Sequence, residues 1–150
     1  MPQASVVSSS SATSSYAAPP FACTTKTGSS AAWIQAAGEL DFAASLELGR
    51  TLRDAQVSAR LLVLDLRELT YIDSSGVGVI LDAARLAQRS GGRLMLVRGP
   101  APVDRVLALT AVPTQVLIFD LDPGEPSPAL LEAWTPGRSL SGHRPGQRRG

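Results

Sequence analysis

The clearest pattern of apolar and polar positions lies in residues 61–90. A continuous apolar run from Leu61 to Leu64 ends at Asp65 and predicts a strand that is buried on both faces of a sheet. The apolar spacing then changes to that of a helix, at Val77, Ile80, Leu81 and Ala84, with a polar end at Gln88. The opposite helix face carries Ser75, Gly78, Asp82, Arg85 and Arg89. The strand therefore passes into the helix at Asp73-Ser74-Ser75-Gly76.

Upstream of this unit, the pattern predicts a hairpin and a helix. Two short strands at 21–27 and 31–37 are separated by Gly28-Ser29-Ser30, a connection short enough for a hairpin. We expect the turn Gly38-Glu39-Leu40-Asp41 to break the second strand, with Asp41 capping the helix that follows. That helix should end near Ser58. Its apolar positions are Ala44, Leu48 and Leu52, with Leu46 as a further candidate.

Downstream, two more strands and a short helix are predicted. Gly91-Gly92 can end the preceding helix in the left-handed conformation, and a strand follows at 93–97. Pro102 suits the first turn of a short helix that Pro113 stops, and the last strand is expected at 115–119. Strands that alternate with helices require right-handed crossovers and parallel pairing. The expected fold class is therefore α/β, with a mixed, mostly parallel sheet packed against helices.

The two ends of the chain differ in composition from the middle. Residues 1–20 contain seven serines and no charged side chain, which favours a disordered arm, and they lack the basic and apolar regions of a secretory signal. Residues 123–150 are rich in Gly, Pro and Arg, which favours a flexible tail with at most a short helix at 128–134. No stretch approaches the roughly 18 apolar residues of a membrane span. We expect one domain, residues 21–122, in a cytoplasmic protein.

Charge and composition exclude several classes of function. The 14 basic and 13 acidic residues of this 150-residue chain nearly balance, so no electrostatic footprint for nucleic acid is visible. Cys23 is the only cysteine and His143 the only histidine, so neither a structural zinc site nor a serine–histidine pair in the core is favoured. We expect no cofactor, no metal and no enzymatic activity.

Four interpretations of Asp73-Ser74-Ser75-Gly76 are open. One of the three polar residues can cap the helix, which contributes on the order of 1 kcal/mol. A hydrolytic serine is disfavoured because the Gly-x-Ser-x-Gly elbow is absent, unless another chain supplies the base. A dinucleotide site is disfavoured because Leu81 replaces the third glycine of the fingerprint. Phosphorylation of a serine is favoured, since phosphate at a helix N-terminus meets the positive end of the helix dipole.

Residues 64–81, read together with Gly38-Glu39-Leu40-Asp41, resemble the signature of bacterial anti-sigma factor antagonists, which are built on the STAS (sulfate transporter and anti-sigma factor antagonist) domain. The resemblance covers residues 22–121. It implies a phosphoprotein that regulates transcription. The unphosphorylated form binds an anti-sigma factor that is also a serine kinase, and this binding frees a sigma factor. Phosphorylation ends this binding, a serine phosphatase reverses it, and any nucleotide is held by the partner.

Carried over to this chain, the resemblance implies that Ser75 is the phosphate acceptor, with Ser74 as the second candidate. It also implies a partner-binding surface whose members are Gly38, Glu39, Leu40, Asp41, Asp73, Ser74, Ser75, Gly76, Gly78 and Asp82. The alternative within the same fold is a STAS scaffold, or an interaction subunit of a signalling complex, that does not undergo the switch.

Overall fold

The computed structural model describes residues 20–122, and the predicted serine-rich arm, flexible tail and short helix at 128–134 lie outside that range. The described residues form five strands and four helices. In chain order these are β1 (Ala22–Thr27), β2 (Ala31–Leu40), α1 (Phe42–Gln56), β3 (Leu61–Ile72), α2 (Ser74–Arg89), β4 (Arg93–Val97), α3 (Ala101–Ala108), α4 (Val112–Gln115) and β5 (Leu117–Phe119).

The strands form one sheet in the order β1-β2-β3-β4-β5. β1 is antiparallel to β2 and forms the predicted hairpin, whereas β2, β3, β4 and β5 are parallel to one another. The expected α/β class with a mixed, mostly parallel sheet is confirmed. Because β3 is the middle strand, its carboxyl end and the helix that follows it lie at the centre of the domain.

The two faces of the sheet belong to two separate apolar clusters. The larger cluster joins one face to the helices, through residues such as Ile34 and Leu64 on the strands and Leu48, Ile80 and Val103 on the helices. The smaller cluster lies on the other face and its described members are strand and strand-end residues, among them Trp33, Val63 and Val97. Successive residues of a strand point to opposite faces, so the apolar run at the start of β3 serves both clusters. Its first six residues are buried, which confirms the prediction of a strand covered on both sides.

Asp65 is a fully buried carboxylate in the middle of β3. Arg67 Nη2 lies 2.8 Å from Asp65 Oδ2, the Arg67 backbone N–H donates to Oδ1 at 3.0 Å, and Trp33 Nε1 donates to Oδ2 at 3.3 Å. A buried charge is tolerated only when it is paired and hydrogen-bonded. Asp65 therefore does not end the strand, and β3 continues for seven more residues to Ile72.

The structure also corrects three expectations. The turn that begins at Gly38 does not break β2, because bulges between Gln35 and Ala37 and between Gly38 and Glu39 allow pairing with β3 to continue as far as Leu40. Leu46 is 53% exposed, because the buried stripe of α1 runs through Ala44, Leu48 and Leu52. The last strand begins at Leu117 and not at residue 115, because Val112 to Gln115 form the short helix α4 with Pro113 in its first turn, and α3 ends at Ala108 before it reaches Pro113.

The remaining boundaries agree with the sequence pattern. Asp41 caps α1, which ends at Gln56 close to the expected Ser58. α2 ends just before Gly91, whose φ of 83° is the left-handed conformation expected of a glycine at a helix end. β4 has the predicted limits. The N-termini of α1 and α2 therefore begin at the capping residues Asp41 and Asp73.

Candidate functional site

The carboxyl ends of β2 and β3 bring the two sequence motifs together. Leu40 is paired with Ile72 in the parallel ladder, and the Asp73 backbone N–H donates to the Leu40 carbonyl at 3.3 Å. The next residues, Asp41 and Asp73, are the N-caps of α1 and α2. The turn at Gly38-Glu39-Leu40-Asp41 and the motif at Asp73-Ser74-Ser75-Gly76 therefore lie next to each other, as expected. Two helices, α1 and α2, begin side by side at this edge of the sheet.

Capping at this edge is carried out by the two aspartates. Asp41 Oδ1 accepts from the Ala44 N–H at 2.9 Å. Asp73 Oδ1 accepts from the N–H groups of Ser75, at 2.9 Å, and Gly76, at 3.3 Å. Because Asp73 satisfies these otherwise unpaired donors, neither serine is needed as the cap of α2.

Ser74 and Ser75 are the first two residues of α2, and Ser74 is exposed while Ser75 is partly exposed. Within residues 20–122 neither hydroxyl takes part in a hydrogen bond. Both lie at the positive end of the helix dipole, where added negative charge is favourable. Capping explains Asp73, and it leaves two hydroxyls free to react or to contact a partner.

Glycines shape the surface around the serines in different ways. Gly76 is buried, and a Cβ at this position would lie 2.7 Å from Leu40 Cγ and 2.9 Å from Ile72 Cγ1. Gly38 has a φ of 95°, and a Cβ there would lie 2.7 Å from the Pro20 carbonyl oxygen. Gly78, two residues further along α2, has no atom of residues 20–122 outside its own stretch of helix within 4 Å of its potential Cβ. Two glycines thus allow close packing, and the third leaves open surface.

The predicted partner-binding residues fall into two groups. Leu40, Gly38 and Gly76 are buried, so they position the surface and cannot form much of it. The residues with exposed or partly exposed side chains, apart from the glycine Gly78, are Glu39, Asp41, Asp73, Ser74, Ser75 and Asp82. Among residues 20–122, Asp82 makes only a long, exposed ion pair with Arg85, at 3.6 Å. The accessible part of the site is therefore rich in carboxylates.

Three exposed apolar side chains near the same edge were not predicted. Phe42 is 65% exposed at the first position of α1, Leu46 is 53% exposed one turn later, and Tyr71 is 46% exposed next to the end of β3. Residues four apart on a helix lie on one face, so Phe42 and Leu46 present apolar surface together. The spacing of the buried stripe of α1 could have revealed this, since Leu46 lies outside it.

Several other functions find no support among residues 20–122. This range contains no histidine and no group of three or more side chains of the types that bind metals placed to hold an ion. None of its helices has the length and apolarity needed to span a membrane. Cys23 lies on β1 beside Thr51, with 3.4 Å between Cys23 Sγ and Thr51 Oγ1, and the structure does not bring it to the serines.

Comparison with known proteins adds sequence and fold relationships. The STAS domain profile matches residues 23–121. The anti-sigma F factor antagonist of Paenibacillus polymyxa is 32% identical over 90 residues, which is 58% of this chain and 76% of that protein. The unphosphorylated anti-sigma factor antagonist SpoIIAA superimposes with a TM-score of 0.63 at 20% identity, covering 76% of this chain and all of that one. Phosphorylated SpoIIAA of Bacillus gives a TM-score of 0.56 at 24% identity, covering 68% and 93%. The two structural likenesses establish the shared fold.

Proposed function

The chain belongs to the STAS-domain family of anti-sigma factor antagonists, and from that premise we propose that it is a binding module switched by phosphorylation of Ser75. The unphosphorylated form binds an anti-sigma factor with serine kinase activity and so frees a sigma factor. The observation that carries the proposal is the hydroxyl of Ser75, which is partly exposed at a helix N-terminus whose capping is already done by Asp73.

The position of Ser75 at the start of α2 favours a phosphate there. Phosphoserine carries about −1.5 to −2 charges at neutral pH, and the first turn of a helix places these charges at the positive end of its dipole. Asp73 continues to cap through the backbone N–H groups of Ser75 and Gly76, which do not involve the serine side chain. Phosphorylation therefore changes the surface and leaves the fold in place.

The same phosphate opposes a partner that packs over the site. Glu39, Asp41 and Asp73 already place three carboxylates at this edge of the sheet. A partner would have to remove water from a dianion beside these carboxylates, which costs free energy unless each charge gains an opposite charge. Phosphorylation consequently acts as the off state, and a serine phosphatase restores binding. This exchange of partners takes place in the cytoplasm.

Exposure alone does not select Ser75 over its neighbour, because Ser74 is the more exposed of the two. Ser75 is favoured by its position on the helix, since it shares a face with Gly78, three residues on, and Asp82, seven residues on. A kinase docked along that face would reach Ser75 first. The resemblance of the surrounding motif to the family signature assigns the same residue.

The test is phosphorylation in vitro by candidate anti-sigma factor kinases with ATP, followed by mapping of the phosphate by mass spectrometry. We expect phosphate on Ser75 in the natural sequence, unchanged modification in Ser74→Ala and none at this motif in Ser75→Ala. Phosphate confined to the serines of residues 8–15 would overturn the assignment. Stable binding of such a kinase without any phosphorylation would instead favour the non-switching scaffold.

A further inference from the structure

The sheet face opposite the helices is buried, although its apolar cluster contains no helix residue from the range 20–122. The helices of this range contribute to the larger cluster on the other face, through residues such as Leu48, Ile80 and Val103. Each buried member of the smaller cluster is at most 8% exposed, and these members are Ala31, Trp33, Leu61, Val63, Met95 and Val97. Side chains on an uncovered sheet face remain in contact with water. Something other than the elements described above therefore covers this face.

A buried ion pair lies on the same face. The carboxylate of Asp65 is fully buried, and it accepts from Nε1 of Trp33, a member of the smaller cluster. The side chain of its partner Arg67 is only 12% exposed. A carboxylate on an open sheet face would be hydrated, so the complete burial of Asp65 also requires a cover. The covered area therefore includes polar as well as apolar side chains.

The two ends of residues 20–122 lie against different faces of the sheet. Phe21, near the amino end, packs against the larger cluster on the helix side. Phe119 and Leu121, near the carboxyl end, pack against the smaller cluster. Arg67 Nη1 also donates to the backbone carbonyl of Asp122, which ties the carboxyl end to β3 beside the buried ion pair. The chain beyond Asp122 therefore starts next to the covered face, and the chain before residue 20 starts on the other side.

The sequence after residue 122 contains an apolar group that suits this face. Leu130, Leu131 and Trp134 lie in the segment 128–134, and their spacing puts them on one side of a helix. Ser127 is a favourable N-cap, and Pro128 suits the first position of such a helix. Residues 1–19, by contrast, contain no leucine, isoleucine, phenylalanine or tryptophan. Composition therefore favours the segment 128–134 as the cover.

The connection to this segment is long enough to reach the face. Seven residues lead from Leu121 to Pro128, and an extended chain of that length spans up to about 23 Å. The distance across the sheet from β5 to β2 is three strand spacings, or about 14 Å. A helix of seven residues is about 10 Å long. The segment can therefore lie over any part of the smaller cluster.

We propose that the segment 128–134 folds over this face and packs Leu130, Leu131 and Trp134 against the smaller cluster. The burial occurs within a single chain, so the cover is intramolecular and needs no second copy. The domain then extends past residue 121, where the match to the STAS profile ends. Because α1 and α2 lie on the opposite face, the segment leaves the partner-binding surface accessible, and the proposal does not depend on phosphorylation of Ser75.

The test is paramagnetic relaxation measured by NMR on the full chain. Cys23 is the only natural cysteine, so Cys23→Ala combined with Glu132→Cys gives one attachment point for a spin label. Residue 132 lies on the side of the helix that points away from Leu130 and Trp134, so the label does not disturb the proposed contact.

The two faces of the sheet give opposite expectations. We expect loss of intensity for methyl groups of the smaller cluster, such as those of Val63, Met95 and Val97. Methyl groups of Leu48 and Val103, in the larger cluster, should lose little intensity. Loss confined to the larger cluster, equal loss on both faces, or no loss would overturn the proposal.

A mixed sample identifies the molecule that supplies the segment. Spin-labelled protein at natural isotope abundance is added to isotope-labelled protein that carries no spin label. We expect no loss of methyl intensity in this sample, because the contact is intramolecular. The same pattern of loss as in the first sample would assign the cover to a second copy and contradict the proposal.

Fluorescence of Trp33 gives a second measurement that needs no label. In Trp134→Phe, Trp33 is the only tryptophan, and its buried indole should be poorly accessible to acrylamide. Replacing both Leu130 and Leu131 by aspartate in this background should shift the emission to longer wavelength and increase the quenching. Leu140→Asp is the matched control, because it adds a charge at a leucine outside the segment, and it should change neither. Unchanged shielding of Trp33 in the double variant would contradict the proposal.

Discussion

Gly76 lies directly against Leu40, so that a Cβ at position 76 would be 2.7 Å from Leu40 Cγ. Leu40 ends β2 and Gly76 belongs to the first turn of α2. The two motifs that define the candidate site are therefore one packed unit, in which the absence of a side chain on one motif makes room for the leucine of the other. This relationship explains why a small residue is required beside the serines.

The first prediction concerns this close packing. Gly76→Ala should lower the free energy of unfolding by about 1–3 kcal/mol, because the added methyl group must displace Leu40 or Ile72. Gly78→Ala is the matched control on the same helix, where the potential Cβ meets no atom of residues 20–122 outside its own stretch of helix within 4 Å. It should raise stability by about 0.5–1 kcal/mol, since alanine is the better helix former. Urea unfolding of the two variants measures both effects, and similar values would contradict the packing argument.

Local patterns predicted most of the fold because they report burial directly. The apolar run of β3 and the helical spacing of α2 each reflect which side chains face the core, and the glycines after α2 mark its end. The extensions of β2 and β3 beyond their apolar runs were missed, because pairing there depends on bulges and on long-range contacts between the two strands. The burial of Asp65 was missed for the same reason, since its partner Trp33 is 32 residues away.

In the candidate site, too, local features could be predicted from the sequence and features that depend on long-range packing could not. Asp41 was predicted to cap α1 from its position, and the structure confirms the hydrogen bond. The cap of α2 was left open among Asp73, Ser74 and Ser75, and the structure assigns it to Asp73. A groove that lies between α1 and α2 could not be predicted, because it depends on how two helices with separate apolar stripes pack against each other. Sequence periodicity gives the faces of a helix and does not give the space left between two of them.

The second prediction tests the division of roles between Asp73 and the serines. Asp73→Ala should cost about 0.5–2 kcal/mol, because the N–H groups of Ser75 and Gly76 lose their acceptor. Asp73→Ser should cost much less, since serine is also a good N-cap. Ser74→Ala should have little effect on stability, because its hydroxyl caps nothing within residues 20–122. A thermal or urea unfolding series would show the opposite order if a serine were the real cap.

The third prediction concerns the buried ion pair of β3. Asp65→Ala should destabilise the protein by at least about 1.5–3 kcal/mol, because it removes the fully buried carboxylate that the Arg67 guanidinium and Trp33 Nε1 both contact. Asp120→Ala removes the exposed partner of Arg98, which lies at 2.8 Å, and should cost no more than about 1 kcal/mol. Comparable losses in the two variants would mean that burial does not strengthen the Asp65 interaction.

The fourth prediction follows from the pKa of Cys23. Burial raises the pKa of this thiol above its ordinary value of 9.0, the hydrogen bond with Thr51 opposes the rise, and the negative charge of Glu47 adds to it. Above the unfolded value the unfolded chain has lost a proton that the native chain retains, so stability falls as pH rises through the native pKa. Unfolding free energies measured below and above pH 9.0 should show this alkaline loss, and Cys23→Ala should reduce it. An unchanged alkaline slope in the variant would assign the loss to other groups.

The fifth prediction concerns charge at Ser75. Ser75→Asp should weaken binding of the proposed anti-sigma factor kinase by about tenfold or more, because an added carboxylate beside Asp73 must be desolvated at a cost of about 1.5–3 kcal/mol. Ser75→Ala should retain affinity, since it removes a hydroxyl that has no partner within residues 20–122. Calorimetric titration of each variant with the kinase measures the difference.

Ser74→Asp serves as the matched control for that experiment, because it adds the same charge at the neighbouring and more exposed position. A carboxylate at the more exposed position 74 stays more fully hydrated in the complex, so Ser74→Asp should lose less affinity than Ser75→Asp. Raised salt should recover part of the affinity of Ser75→Asp, because charge repulsion at a partly exposed site is screened. Equal affinity of the Asp and Ala variants at position 75 would contradict repulsion as the switch, even if Ser75 is the residue that the kinase modifies.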